Sequence, residues 1–187
     1  MKYQIDQSGK IENTSKDTIV AYSNGEQYSV LVSKKIKRQV QELFRLIGMP
    51  RLYVYILFSC SVYMLIKKFK IQHNFTIDIE YPGKEKLLKN LLTCFLESNK
   101  KPNHNIRFAR IGNHPKVHYA AYNVYTKKEK PNVKITLWEL LEEIKKADGR
   151  LRECFSTLVD AQPRPLIELY QKRLKSQARA KFRGKRS

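Results

Sequence analysis

Fifteen consecutive uncharged residues, 52–66 (LYVYILFSCSVYMLI), lie between Arg51 and the pair Lys67-Lys68 in a chain that is otherwise crowded with charge. As a helix this run would rise about 22 Å, short of the roughly 30 Å hydrocarbon core of a bilayer. Tyr53, Tyr55, Ser59, Ser61 and Tyr63 dilute it further. It alternates well enough for a strand but is too long for one. The reading is therefore a helix over about residues 51–70 buried in a protein core, because a helix apolar all round needs neighbours on every side. No integral membrane span is expected. The opening ten residues have no apolar stretch of the secretory type. Cys60, Cys94 and Cys154 are odd in number, far apart and form no CxxC pair. That usage suggests neither a disulfide framework nor a zinc knuckle. It points to a reducing compartment, and the expected location is cytoplasmic.

The elements around this run follow from local signals. Residues 3–5 and 17–23 read as strands, and Asn24-Gly25 is a hairpin turn whose residues both accept positive φ. Residues 27–33 complete a meander of three antiparallel strands. Ile36, Val40, Leu43, Phe44 and Ile47 recur at helical spacing until Gly48-Met49-Pro50 stops them. Beyond the buried helix, residues 75–81 (FTIDIEY) alternate as a strand, 84–98 form an amphipathic helix and 105–111 a short strand. Residues 114–127 read as a helix with Pro115 in its first turn. Residues 128–132 are the best linker, Thr136 and Glu139 form a capping box for a helix to Ala147, and a final helix begins after Pro165. The order βββααβαβα, then helices, implies an α/β (α+β) mixed sheet covered on both faces. The expected division is a core over 1–129 and a helical, basic extension over 130–187.

The charge is unevenly distributed. Thirty-seven Lys and Arg against 17 Asp and Glu leave +20, while 42% hydrophobic residues exclude a disordered chain. After Glu168 no acidic side chain occurs, and Lys172, Arg173, Lys175, Arg179, Lys181, Arg183, Lys185 and Arg186 form a basic tail. So many unpaired charges cannot be buried. They suit an arm that tracks phosphates and gains affinity by counterion release, the alternative being a solvated terminus. Candidate partners are DNA or RNA and, in a homodimer, a second copy of the chain.

The element order over residues 1–127 resembles the RNase H-like fold, a β-meander followed by αβαβα. Its opening strand, Ile5-Asp6-Gln7-Ser8-Gly9, is similar to the Asp-Glu-Ser-Gly opening of the domain-of-unknown-function-3800 family, predicted nucleases of that fold. The segment Ile79-Glu80-Tyr81-Pro82-Gly83-Lys84 is similar to the Glu-containing strand of RuvC-type Holliday-junction resolvases. The resemblance implies a βββαβαβα core, with Asp6 and Glu80 as ligands of a catalytic Mg²⁺ or Mn²⁺ and Asp78 as the alternate. The chain departs from it in two places. Gln7 replaces the second carboxylate of the opening motif, and Ala121 stands where the last core helix usually carries an Asp. No carboxylate occurs between Glu97 and Glu129, so His118 is the candidate replacement as ligand or base, with His114 one turn earlier.

Such carboxylates have a chemical rationale. Phosphodiester hydrolysis builds negative charge on the attacking and leaving oxygens, which divalent ions stabilise, and Mg²⁺ prefers hard oxygen donors. The bland readings stay open beside this one. Asp6 would shape a turn, Asp78 and Glu80 would line a polar strand face, and Trp138, Tyr119, Tyr122 and Tyr125 would pack, with one tyrosine as an alternative base-stacking residue. Two functions lead, ahead of a third, a peripheral membrane or protein-assembly factor using residues 52–66 and the adjacent lysines. One is a metal-dependent endonuclease acting on structured nucleic acid, branched forms included, through Asp6, Glu80 and His118. The other is a non-catalytic nucleic-acid-binding protein on a degenerate nuclease scaffold.

Overall fold

The computed structural model describes residues 3–71, 74–100, 105–112 and 116–156. His114, the helix expected after Pro165 and the basic tail lie outside the described residues. Strands β1 (Gln4–Ser8), β2 (Thr18–Ser23) and β3 (Gln27–Val32) form the expected antiparallel meander. The hairpin between β2 and β3 turns at Gly25, whose φ of 120° suits a residue without a Cβ. Helix α1 (Lys34–Leu46) starts at Ser33, whose hydroxyl accepts the Ile36 N–H. It ends where Gly48 takes φ 79° and the Met49 N–H returns to the Phe44 carbonyl.

Helix α2 (Leu52–Lys68) is the uncharged run, and it is buried on nearly every side. It packs against α1, against α3 (Glu85–Ser98), against α5 (Leu137–Ser156) and on β2 and β3. No helix among the described residues is long and apolar enough to cross a membrane. Cys60 and Cys94 are buried, and neither forms a disulfide among the described residues. Strands β4 (Phe75–Ile77), β5 (Ile106–Phe108) and β6 (Val133–Lys134) complete a six-stranded mixed sheet in the order β5-β4-β1-β2-β3-β6. β4 pairs parallel with both β1 and β5, and β6 pairs parallel with β3.

Three layers result. Period-two alternation sends Ile5, Val20, Tyr22, Val30 and Val32 into a large core under α1, α2, α3 and α5. The opposite face carries Ile19, Ala21 and Leu31, which pack against Ala120, Ala121 and Val124 of α4 (Lys116–Tyr125). The small side chains at 21, 120 and 121 let that helix lie close to the sheet. Gly9, just past β1, marks the tightest approach: a Cβ there would come within 2.5 Å of both the Asp17 carbonyl and the Tyr125 ring, and its φ is 75°.

Several boundaries differ from the sequence reading. The expected strand over 75–81 stops at Ile77, because the Glu80 N–H folds back onto the Asp78 carbonyl (3.0 Å). Residues 130–156, expected as the start of an extension, contribute β6 to the same sheet and α5 to the same core. β6 carries no local strand signal. It is seated by Asn132, whose Oδ1 accepts the Ser29 N–H at 2.8 Å. The capping box forms: the Glu139 N–H donates to Thr136 Oγ1 and the Thr136 N–H to Glu139 Oε2. Helix α5 then passes its expected end at Ala147, since Leu151 extends the stripe of Leu140, Ile144 and Ala147 into the core. Trp138 does not pack as expected. It lies off that stripe and is 68% exposed.

Candidate metal centre

The site is built at one end of the parallel pair formed by β1 and β4. Asp6 lies opposite Ala21 in the β1–β2 ladder, on the face that α4 covers. The Asp78 N–H extends the β1–β4 pairing by one bond, to the Ile5 carbonyl at 2.9 Å. Asp78 shares strand parity with Thr76, opposite to the core-facing Phe75 and Ile77, so it emerges on the same face as Asp6. The turn after β4 then brings Glu80 back toward both. One carboxylate oxygen from each of Asp6, Asp78 and Glu80 lies within 4.8 Å of the others.

Each group is held by specific partners. The Gln7 N–H donates to Asp6 Oδ1 at 2.7 Å, and His118 Nδ1 lies 3.0 Å from Asp6 Oδ2 across 112 residues of sequence. The Ile111 N–H donates to Asp78 Oδ1 at 2.9 Å, tying the segment after β5 to the cluster. Asp6 is 4% exposed, whereas half of the His118 side chain faces solvent. An ionised Asp6 only accepts, so in this contact His118 Nδ1 donates.

The electrostatics follow from burial and crowding. Burial raises the Asp6 carboxyl above its ordinary range, the Gln7 N–H and His118 oppose that, and the Asp78 charge adds to it. Burial, followed by the charges of Asp6 and Asp78, pushes Glu80 up to about 8, with Lys10 partly offsetting them. Three carboxylates so close together are short of positive charge. All three offer hard oxygen donors, the set that Mg²⁺ or Mn²⁺ takes. Oxygens on one octahedral Mg²⁺ stand about 3 Å apart when adjacent and about 4.2 Å when opposite, so a bound ion would draw these three inward. The residues present fit a divalent cation.

The structure thus brings together Asp6, Asp78, Glu80 and His118 of the sequence candidates. Gln7 lies on the opposite face, with Ile5 and Val20, because successive strand residues alternate. A carboxylate there would point away from the cluster, so the departure from the Asp-Glu-Ser-Gly pattern costs the centre no ligand. Ala121 is fully buried among Ile19, Ala21, Ala120 and Val124. Two groups had no sequence signal: Lys10, close enough to bias Glu80, and the Ile111 N–H. Of the tyrosines expected to pack, Tyr125 is half-buried against the sheet, but Tyr119 and Tyr122 are 46% and 43% exposed. Comparison with protein-family models, curated proteins and solved structures gave no match.

Proposed function

We propose that this protein is a metal-dependent phosphodiester hydrolase of RNase H-like fold that acts on nucleic acid. The observation that carries the proposal is the convergence of Asp6, Asp78 and Glu80, with His118 on Asp6, in a chain of net charge +20. Pairing of β1 with β4 inside the sheet, flanked by β2 and β5, supports the fold reading, since that fold sets its first and fourth strands side by side. Asp6, Asp78 and Glu80 would hold the ion. Mg²⁺ or Mn²⁺, when bound, supplies a Lewis acid that stabilises charge on the attacking and leaving oxygens. The Gln7 N–H and His118 orient Asp6, and Nε2 of His118 can hold a proton at the solvent-facing edge of the site. Lys10, Arg110 and Lys116 stand near the cluster in the chain and supply cations for flanking phosphates.

Incubation with labelled duplex, hybrid, single-stranded and branched substrates in Mg²⁺ or Mn²⁺ tests the proposal. Cleavage by the wild type that is lost in Asp6→Asn is the expected result. No cleavage by the wild type, or equal cleavage by the variant, refutes it. Ala121 favours a second reading, in which the fold binds nucleic acid without cutting it, because α4 contributes no carboxylate. That reading requires salt-sensitive binding that is indifferent to divalent metal.

A further inference from the structure

Helix α4 presents a line of rings of which the hydrolase reading uses only His118. His118, Tyr122 and Tyr125 are spaced four and three residues apart and so align along one face of the helix. At one end His118 contacts Asp6. At the other the Tyr125 ring lies against Gly9, three residues beyond Asp6 in the chain. The line therefore runs beside β1 away from the carboxylates for about 10 Å, a length that the strand and the helix both give. Tyr122 stands in the middle. Its ring lies 13° from parallel with that of His118, at a centroid distance of 6.1 Å, and the residue is 43% exposed. Packing does not account for this ring, because α4 buries Val117, Ala120, Ala121 and Val124 instead.

The surroundings are cationic. Lys116 opens the helix, and past Tyr125 a concavity of about 330 Å³ is rimmed by Lys16, Lys34 and Lys127. Asp17, the carboxylate in its lining, is engaged by the Lys34 N–H at 2.7 Å. An exposed aromatic face between cations, continuous with a carboxylate cluster, is complementary to a base with its phosphates on either side. A base inside a duplex already has both faces covered, so the ring can receive only an unpaired one.

We propose that Tyr122, stacked on His118, is a platform for one unpaired nucleobase, which makes the substrate single-stranded at the metal centre. The proposal rests on the nucleic-acid reading of the site and adds the class of strand it takes. The test uses the full chain in EDTA, where no metal-dependent cleavage intervenes. The probes are a single-stranded oligonucleotide carrying 2-aminopurine and the same sequence as a duplex. Wild type is expected to bind the single strand and quench 2-aminopurine. Tyr122→Leu should weaken single-strand binding by about 5- to 100-fold, change duplex binding less than about twofold, and abolish quenching. Tyr122→Phe, which keeps the ring, should restore both. Unchanged single-strand binding in Tyr122→Leu overturns the proposal, as does an equal loss on both probes. Absence of cleavage in Mg²⁺ or Mn²⁺ with this binding pattern intact removes the hydrolase reading and leaves the platform. Asp6-dependent cleavage with no Tyr122 effect does the reverse.

Discussion

A divalent cation should stabilise this protein much more at pH 8 than at pH 5, and Glu80 should account for most of the difference. Burial and the charges of Asp6 and Asp78 lift its carboxyl from 4.5 to about 8. Between those values the unfolded chain has released the proton while the folded chain keeps it. Stability without metal therefore falls as pH rises through this window and levels off above 8. At 1.36 kcal/mol per pH unit, a window of this width corresponds to about 3–5 kcal/mol. For a chain of this size that is a fall in Tm of roughly 10 °C. Asp6, also raised by burial, adds with the same sign. Mn²⁺ binds the ionised carboxylates and displaces the proton, so its stabilising increment should grow across the same window. Glu80→Gln cannot ionise, and it should flatten both the pH slope and the metal increment. Thermal unfolding followed by circular dichroism, in EDTA and in millimolar Mn²⁺, reads all four curves. The Asp6 charge acts on Glu80, so the difference between the two proteins reports Glu80 together with its effect on Asp6. A wild-type Tm in EDTA that is level or rising from pH 5 to 8 would refute the reasoning. A Glu80→Gln variant with the full wild-type slope would do so equally.

Gly9→Ala should destabilise the fold by about 2–4 kcal/mol, since its Cβ would meet the Asp17 carbonyl and the Tyr125 ring at 2.5 Å with φ positive; chemical denaturation measures this. Ala121→Asp should also destabilise, by about 3 kcal/mol or more, because it sets a charge among Ile19, Ala21 and Val124, and a gain in metal affinity on calorimetry would contradict that placement. Lys37 is buried with its Nζ on the Lys10 carbonyl and Thr18 Oγ1, and burial lowers it to about 8. From pH 8 to 10.5 the folded chain therefore holds one proton fewer than the unfolded chain, so stability should rise with pH there, and Lys37→Met should lack that rise. Removing residues 172–187 takes away eight cations and should lower the salt slope of duplex binding by up to about 7; an unchanged slope would mean the tail does not touch phosphate.

The parts of this molecule that were legible beforehand are those governed by neighbours in sequence. The meander, the Thr136–Glu139 box and the burial of α2 all rest on periodicity, turn chemistry or apolar length, which operate over a few residues. Asp6, Asp78 and Glu80 were visible as acidic residues at strand ends in a basic chain. Their convergence was not, because it depends on β4 pairing with β1 across some seventy residues and on the turn that folds Glu80 back. β6 was hidden for a related reason. Two residues carry no period, and the strand exists only because the β3 edge receives it.

The tyrosines show the same division most plainly. Composition says that an aromatic ring prefers the interior, and by sequence alone Tyr119, Tyr122 and Trp138 belong there. Which side of a helix is interior is set by how the helix is rotated on its sheet. In α4 the small residues Ala120 and Ala121 pack against Ala21 of β2, and that contact turns Tyr122 outward and His118 onto Asp6. Sequence by itself therefore determined most of the elements, the charge and the candidate residues. Tertiary structure alone decided which of them meet, because a helix's rotation and a strand's partner are settled by long-range packing.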